Sequence, residues 1–225
     1  QPLYFGLDSS CPYHAQDVKN RGLKGTDAEF VTPGSTFRAH IAIPGAHMVH
    51  NALAGIAVGY ALGMTDEEIA KGIEANVPIA GRNNLIETGR YTVIDDCYNA
   101  NPVSTQASID VLSFADTRKV AILGDMFELG EKEKEMHYDT GKHAAEKGID
   151  VLIAIGALSS ETARGAEETA AHTGKPITVL HFNTKQDFFA AAESVLKDGD
   201  TILVKASHGM EFPEIVEWLK QRSNT

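Results

Sequence analysis

Two adjacent carboxylates, Asp95 and Asp96, are placed where side chains of a folded protein often do chemistry. They directly follow Tyr91 to Ile94, which has the pattern of a short strand. In an open sheet of parallel strands, ligands bind at the carboxyl ends of the strands. The two acids therefore either contribute to a binding site or only stabilise the turn after the strand.

The turn that follows these acids is also polar. Asn99 and Asn101 come just before Pro102. Proline suits the first position of a helix because its missing N–H would have no partner there, and asparagine is a favoured N-cap. We therefore expect two carboxylates and two carboxamides at a junction between a strand and a helix.

Two later strand ends carry polar clusters as well. Residues 123–130 form a loop bracketed by glycines with two carboxylates, the first of which is Asp125. Lys205, Ser207 and His208 follow the last predicted strand. Because the carboxyl ends of parallel strands lie at one end of a sheet, we expect all three clusters to meet there. Such a pocket suits a ligand with an amine, a carboxylate or a nucleotide ribose.

Arg82 lies after Gly81 in a stretch, residues 77–90, that is rich in glycine, asparagine and proline. A planar guanidinium in a glycine-flanked loop is suited to holding a phosphate group. The alternative is an ordinary solvated arginine at the surface.

Several chemistries lack their signature in this sequence. There is no phosphate loop of the G-x-x-x-x-G-K-[ST] type, no G-x-G-x-x-G and no serine elbow. His47 and His50 are three residues apart, but no acid or cysteine accompanies them at the spacing of metal ligands. We therefore predict no metal site formed by this pair.

The overall composition argues against some partners. With a net charge of −11 in 225 residues, the chain is not expected to bind nucleic acid or an anionic membrane surface. No apolar run approaches the roughly 18 residues of a membrane-spanning helix, and only two cysteines are present. We expect a cytoplasmic protein without membrane insertion. Because the chain begins with Gln1 and reads from there like the interior of a domain, we also expect it to be a fragment.

The hydrophobic pattern predicts an α/β fold with a mostly parallel, doubly wound sheet. Apolar strands and helices alternate regularly after the boundary stretch at 77–90. The strands are predicted at 91–95, 119–124, 150–155, 177–182 and 200–205, and the helices at 102–114, 133–147, 158–172, 184–197 and 211–221. The region before the boundary is predicted to contain two short strands, at 3–6 and 37–43, and two helices, at 51–62 and from Thr65 to about 75.

Four motifs together resemble the Mur ligase family: IPGAHMVHNALAGIAVGYALG, IDDCYNANPVS, LGDMFELG and LVKASHGM. The second and third are closest to the branch of the family that adds D-alanyl-D-alanine. The resemblance implies the last part of a central ATP-binding domain at 1–83 and a C-terminal Rossmann-like domain at 84–225. The phosphate loop of such enzymes is absent from these residues.

The resemblance also implies a function. Family enzymes of this branch are ATP-dependent amide ligases that use Mg²⁺ and act in peptidoglycan precursor synthesis. Their substrates are UDP-N-acetylmuramoyl-tripeptide and D-Ala-D-Ala, which they join through an acyl phosphate. We expect a monomer, and we expect these 225 residues to be catalytically inactive on their own.

The same resemblance assigns roles to individual residues. Arg82 and Lys205 match catalytic positions. Nucleotide binding is implied for His47, Asn51, Arg82, Asp96, Asn99 and Asn101. Binding of the incoming dipeptide is implied for Asp125, Ser207 and His208, where His208 replaces the arginine usual in the family and so lacks its permanent charge.

Three other functions remain open at this point. The chain could be another Mur-type ligase, such as a relative of folylpolyglutamate synthase, although the YNANP and LGDM motifs disfavour it. It could be a nucleotide- or peptide-binding module without catalysis. It could also be a purely structural domain of the same fold.

Overall fold

The computed structural model describes residues 2–222 of the chain. The chain divides into two compact units, Gln1–Pro78 and Ile79–Thr225. The division falls a few residues before the boundary predicted at 83/84, so that Arg82 lies in the second unit. The identity of the two parts as family domains stays a prediction. Within residues 2–222, no helix is both long and apolar enough to cross a membrane.

The first unit is a four-stranded sheet covered by two helices. Its elements are β1 (Phe5–Gly6), β2 (Tyr13–Asn20), β3 (Thr26–Val31), β4 (Thr36–Ile41), α1 (His47–Ala61) and α2 (Asp66–Glu74). The sheet order is β1-β2-β3-β4, with β1 parallel to β2 and the other pairs antiparallel. Phe30 of β3 and Leu53 and Ile56 of α1 are fully buried in its core.

The sequence pattern anticipated this unit only in part. The capping box of α2 is confirmed, because Thr65 and Glu68 bond reciprocally across its first turn. Helix α1 begins at His47, earlier than predicted, and no polar side chain caps its start to mark the position. Strands β2 and β3 were not predicted, since charged residues cover one face of each and a register shift interrupts their pairing.

The second unit is a six-stranded sheet flanked by helices. Its strands are β5 (Asn84–Glu87), β6 (Thr92–Asp95), β7 (Lys119–Gly124), β8 (Val151–Ile155), β9 (Thr178–Phe182) and β10 (Thr201–Lys205). Its helices are α3 (Pro102–Ser113), α4 (Glu133–Glu146), α5 (Ser159–Thr173), α6 (Lys185–Val195) and α7 (Pro213–Gln221). The order is β5-β6-β10-β7-β8-β9, and all pairs are parallel except β5 with β6.

The predicted α/β fold with a mostly parallel sheet is therefore confirmed. Strands β8 and β10 are buried at every residue, as expected where helices cover both faces of a sheet. The antiparallel strand β5 was missed because it is short and lies in the stretch interpreted as a boundary. Strands β6, β10 and β7 are neighbours and run in parallel, so their three polar carboxyl ends lie side by side, as predicted.

Candidate functional site

The paired acids after β6 bind the backbone of an earlier turn. Asp95 Oδ2 accepts a hydrogen bond from the backbone N–H of Gly81 at 2.8 Å. Asp96 Oδ1 accepts one from the backbone N–H of Asn83 at 2.9 Å. The acids therefore hold the turn that carries Arg82, which lies between these two residues.

This turn presents Arg82 at the surface. Gly81 has φ +78° and Asn83 has φ +48°, a left-handed backbone conformation on both sides of the arginine. The Arg82 guanidinium carbon lies 4.2 Å from the ring centroid of Tyr98. Across residues 2–222, no carboxylate lies within ion-pair distance of Arg82, whose side chain is exposed. Its charge is therefore available to an anionic ligand.

Lys205 is almost completely buried, at 3% exposure, and points back into the protein. Its Nζ lies 2.5 Å from Asp96 Oδ2 and donates to the backbone oxygen of Asn99 at 3.0 Å. Ser108 of α3 donates to the same carboxylate oxygen at 2.6 Å. Lys205 thus forms an ion pair with Asp96 and holds the turn after β6.

Asp96 retains limited capacity for a ligand. Among the described contacts, Oδ2 accepts from both Lys205 and Ser108, and Oδ1 accepts from the N–H of Asn83. A carboxylate oxygen can accept two hydrogen bonds, so Oδ1 is the atom of this carboxylate with the greater capacity for a ligand. Asp96 fits the predicted ribose contact through this one atom, and that role stays a prediction.

The two carboxamides of the site, Asn99 and Asn101, make different contacts. Asn101 is the N-cap of α3, as predicted: its Oδ1 accepts from the N–H of Ser104 at 2.9 Å, and Pro102 occupies the first turn. The Oδ1 atom of Asn99 accepts from the N–H of Ala100 at 2.9 Å, and Asn99 is exposed. Asn101 is exposed as well, so both side chains are accessible to a ligand.

Ser207 joins all three strand ends. Its N–H donates to the backbone oxygen of Asp125 at 3.0 Å, and its Oγ accepts from the N–H of Phe127 at 2.8 Å. The Oγ also lies 3.5 Å from the backbone oxygen of Ala100. Ser207 is 4% exposed, so in this arrangement it is a connecting residue of the site.

The carboxylate of Asp125 caps a helix of the same unit. Its Oδ1 accepts from both the N–H and the Oγ of Ser159, each at 2.7 Å, at the first residue of α5. Asp125 is 6% exposed. The first N–H groups of a helix have no partner within the helix, so Asp125 supplies an acceptor that α5 would otherwise lack.

Two buried side chains beside the site were not among the predicted site residues. His137 of α4 is fully buried; its Nε2 accepts from the N–H of Met126 at 2.9 Å, and its Nδ1 lies 2.7 Å from the backbone oxygen of Glu133. It holds the loop after β7. Cys97 donates from Sγ to Asp95 Oδ1 at 2.9 Å, and burial raises the pKa of its thiol, so it stays protonated. The sequence signal for Cys97 was its place inside the motif IDDCYNANPVS, and the signal for His137 was its place downstream of LGDMFELG.

His208 and Tyr98 lie at the exposed rim of this end of the sheet. Their ring centroids are 5.7 Å apart and their planes are inclined by 49°. The structure therefore brings Arg82, Asp96, Asn99, Asn101, Asp125, Lys205, Ser207 and His208 to the same end of one sheet. Their predicted ligand roles remain predictions.

The other two predicted residues belong to the first unit. His47 and Asn51 are exposed on the first turns of α1. Asn51 Nδ2 lies 3.4 Å from the sulfur of Met48. Both Met48 and Asn51 line a cavity of about 240 Å³ bounded by α1, α2 and Ile41 of β4. Apart from Asn51 and Asn76, its lining is made of apolar residues and glycines, as is usual for small-molecule pockets.

The acids of the site do not form a metal centre. Among residues 2–222, no group of three or more histidine, cysteine, aspartate or glutamate side chains is arranged to hold a metal ion. The Asp95 and Asp96 carboxylates are directed at backbone N–H groups, a serine and a lysine instead.

Comparison with protein families gives one match that covers more than half of the chain. The family described as "Mur ligase, glutamate ligase domain" matches residues 81–208. This range begins at the turn that carries Arg82 and ends at His208, so it includes every part of the site in the second unit.

Curated relatives match over most of the chain. A UDP-N-acetylmuramoyl-tripeptide–D-alanyl-D-alanine ligase of Bacillus subtilis is 35% identical over 220 residues, which cover 96% of this chain and 47% of the relative. The ligase of the same name from Escherichia coli is 32% identical over 200 residues, covering 88% of this chain and 42% of the relative. The chain thus spans about half the length of the curated relatives it matches.

Solved structures show the same pattern. A crystal structure of MurF from Acinetobacter baumannii superposes with a TM-score of 0.84 at 28% identity, covering 97% of this chain and 47% of that one. MurF ligase from Thermotoga maritima, solved in complex with ADP, superposes with a TM-score of 0.78 at 24% identity, covering 98% of this chain and 48% of that one. The latter likeness shows the fold alone.

Proposed function

Because the chain belongs to the Mur ligase family, we propose that the protein containing these residues joins D-Ala-D-Ala to UDP-N-acetylmuramoyl-tripeptide at the expense of ATP. The observation that carries this proposal is the 35% identity over 96% of the chain to a ligase named for that reaction. The reaction would supply a precursor of peptidoglycan. We place it in the cytoplasm and propose a monomer.

The proposed chemistry has two steps. A carboxylate oxygen of the tripeptide attacks the γ-phosphorus of ATP, and ADP leaves, which gives an acyl phosphate. The amine nitrogen of D-Ala-D-Ala then attacks the acyl carbon, loses a proton, and displaces inorganic phosphate as the amide bond forms. Negative charge increases on the phosphoryl oxygens in both steps, so a fixed cation nearby lowers the barrier.

Arg82 is the cation that best suits this task. Its guanidinium is exposed, has no ion pair among residues 2–222, and is carried on a turn held by Asp95 and Asp96. Lys205 was predicted to be catalytic as well, but it is buried against Asp96. We therefore propose that Lys205 acts indirectly, by holding the turn that contains Asn99.

Other residues have proposed binding roles. In the second unit, Asp96, Asn99 and Asn101 have a proposed role in nucleotide binding. In the first unit, the same role is proposed for His47 and Asn51. The peptide bond to be formed would lie near Asp125, Ser207 and His208, with the dipeptide held by exposed His208 and by the loop that Ser207 organises.

Magnesium ions belong to the proposed reaction because they neutralise the phosphates of ATP. Among residues 2–222, no group of three or more histidine, cysteine, aspartate or glutamate side chains is arranged to hold a metal ion, and magnesium bound to ATP usually takes only one or two carboxylates beside the phosphates and water. The roles proposed for Arg82 and Lys205 do not depend on where the ion binds.

The test is release of phosphate from ATP by the complete gene product that contains residues 1–225. We expect release only when both UDP-N-acetylmuramoyl-tripeptide and D-Ala-D-Ala are present, together with a product of the corresponding mass. Arg82→Ala should lower the rate about 100-fold. Arg164→Ala is the matched control, because Arg164 is an exposed arginine of the same unit that forms ion pairs with Glu161 and Glu168 on its own helix and lies over the ring of Tyr138.

Two outcomes would contradict the proposal. Phosphate release with a different amino substrate, and none with D-Ala-D-Ala, would indicate another Mur-type ligase. Binding of ATP without phosphate release in the presence of both substrates would indicate a binding module without catalysis. The isolated 225-residue chain is expected to be inactive, since it has no phosphate loop.

A further inference from the structure

Tyr98 is an exposed aromatic residue whose ring contacts two of the predicted site residues. The Arg82 guanidinium carbon lies 4.2 Å from its ring centroid, and the His208 ring lies at 5.7 Å. Tyr98 is 51% exposed, so burial in the core does not explain its position. A large aromatic side chain at the rim of a candidate site therefore needs another explanation.

The backbones of the two turns are fixed to each other, which sets the distance between the ring and the guanidinium. The N–H of Tyr98 donates to the backbone oxygen of Gly81 at 3.0 Å. A Cβ atom placed on Gly81 would lie only 3.3 Å from the Tyr98 backbone nitrogen, so the turns are in close contact. With the bonds from Asp95 and Asp96, three hydrogen bonds connect the turn of Arg82 to the end of β6.

We propose that Tyr98 is a positioning residue whose ring holds the guanidinium of Arg82 in place for an anionic phosphoryl group. A cation over the face of an aromatic ring is attracted by the electrons of that face. The five N–H donors of arginine lie in the guanidinium plane, so a ring against that face leaves them free to bond an oxyanion. The inference rests on the proposed function for the identity of the anion.

The position of Arg82 without this ring would be poorly defined. No acid among residues 2–222 pairs with the guanidinium, so the ring is its one described side-chain contact. An unconstrained arginine samples many rotamers, and fixing it on binding costs entropy. The ring removes much of this cost before the phosphate arrives.

The first experiment compares Tyr98→Leu and Tyr98→Phe in the complete gene product. Leucine removes the ring, so we expect kcat to fall roughly tenfold with little change in the KM for D-Ala-D-Ala. Phenylalanine keeps the ring and should restore kcat to within about twofold of wild type. Loss of activity in Tyr98→Phe would show that the hydroxyl matters and would overturn the proposal.

A matched control is available in the same unit. Tyr138 of α4 also has an arginine over its ring, with the Arg164 guanidinium carbon at 4.6 Å, but it lies away from the strand ends of the site. Tyr138→Leu should leave kcat unchanged. If Tyr138→Leu lowers kcat as much as Tyr98→Leu does, the effect is a general loss of stability and the proposal fails.

A double mutant distinguishes action through Arg82 from direct contact with substrate. If Tyr98 acts only through the guanidinium, then Tyr98→Leu should have no further effect in an Arg82→Ala background. Additive effects of the two changes would mean that Tyr98 contacts substrate itself, which would overturn its assignment as a positioning residue.

A spectroscopic measurement on the 225-residue chain decides the contact independently of activity. Protons over the face of an aromatic ring resonate upfield, so the Arg82 Nε–H and side-chain CH₂ signals should be shifted upfield and should return in Tyr98→Leu. Signals that disappear in the Arg82→Lys variant are assigned to Arg82. Unshifted Arg82 signals in the wild-type chain would refute the contact. Absence of ligase activity in the complete wild-type protein would refute the proposed function instead, and the Arg82 signals would still decide the contact.

Discussion

Each end of the six-stranded sheet contains an ion pair in which one partner is buried. At the carboxyl end of β10, Lys205 pairs with Asp96 at 2.5 Å. At its amino end, Asp200 pairs with Arg118, which also donates to the backbone oxygen of Val195. The two pairs lie at opposite ends of the same strand, so their surroundings can be compared directly.

The two ends of the sheet differ in whether a further cation without an ion pair lies beside the pair. At the amino end, Arg118 donates to both oxygens of Asp200, and the N–H of Lys197 donates to one of them, which completes the cluster. At the carboxyl end, a second cation, Arg82, has no ion pair among residues 2–222. The amino end is therefore built for stability, whereas the carboxyl end combines a stabilising pair with a cation that can bind a ligand.

The largest effect on stability is expected when Lys205 is removed. Lys205→Met leaves the Asp96 charge without its partner, so we expect the free energy of unfolding to fall by about 3 kcal/mol. Urea unfolding followed by the fluorescence of Trp218, the single tryptophan and a residue of α7, reports on this unit.

The matched control is Lys142→Met. Lys142 is exposed, and its ion pair with Glu146 on the same helix is long, at 3.9 Å. Its loss should change stability by at most about 0.5 kcal/mol. Adding Asp96→Asn to Lys205→Met should recover part of the loss. Equal effects of Lys205→Met and Lys142→Met would mean that the pair does not stabilise the carboxyl end.

A somewhat smaller loss of stability is expected for Asp125→Ala, which removes the side chain that caps α5. The N–H of Ser159 then loses its acceptor in a buried position, and the free energy of unfolding should fall by about 2 kcal/mol. Asp139→Ala, at an exposed position of α4, serves as the control and should be nearly neutral. A neutral Asp125→Ala in the same urea titration would contradict the capping role.

The amino end should show a pH dependence of its own. Burial raises the pKa of Asp200, although the Lys197 N–H and Arg118 act in the opposite direction. A raised pKa means that the folded state binds this proton more tightly than the unfolded state, so the contribution of Asp200 to stability is lost as pH rises from about 4 through the folded pKa. The stability of wild type relative to Asp200→Asn should therefore decline over that range. A difference that stays constant or grows between pH 4 and 7 would refute this.

The smallest effect on stability is expected at the cation that distinguishes the two ends. Arg82→Ala removes an exposed side chain without a described ion pair, so the free energy of unfolding should change by less than about 1 kcal/mol. The same change should have a large effect on phosphate release by the complete gene product. Arg118→Met is the counterpart: it should destabilise the chain strongly. A strongly destabilised Arg82→Ala variant would remove the contrast between the two ends.

Most elements of the second unit could be predicted from the amino-acid pattern. Continuous apolar runs such as those of β7, β8 and β10 can be satisfied only inside a sheet covered on both faces, so their positions and the parallel arrangement followed from the pattern. The N-cap at Asn101 and the capping box at Thr65 followed from local chemistry as well. Membership of the family could also be predicted, because its characteristic motifs lie at the ends of these strands.

The contacts of each polar side chain, in contrast, became known only from the folded structure. Sequence spacing placed Asp96 and Lys205 at two strand ends, but the neighbouring positions of β6 and β10 bring them into an ion pair across 109 residues of sequence. The sequence could not show that Asp95 and Asp96 hold the turn of Arg82, or that Tyr98 lies under its guanidinium, because these contacts depend on how distant turns meet. The local pattern of apolar and polar residues determines where helices and strands form. Which polar groups pair with each other depends on the order of the strands and on burial.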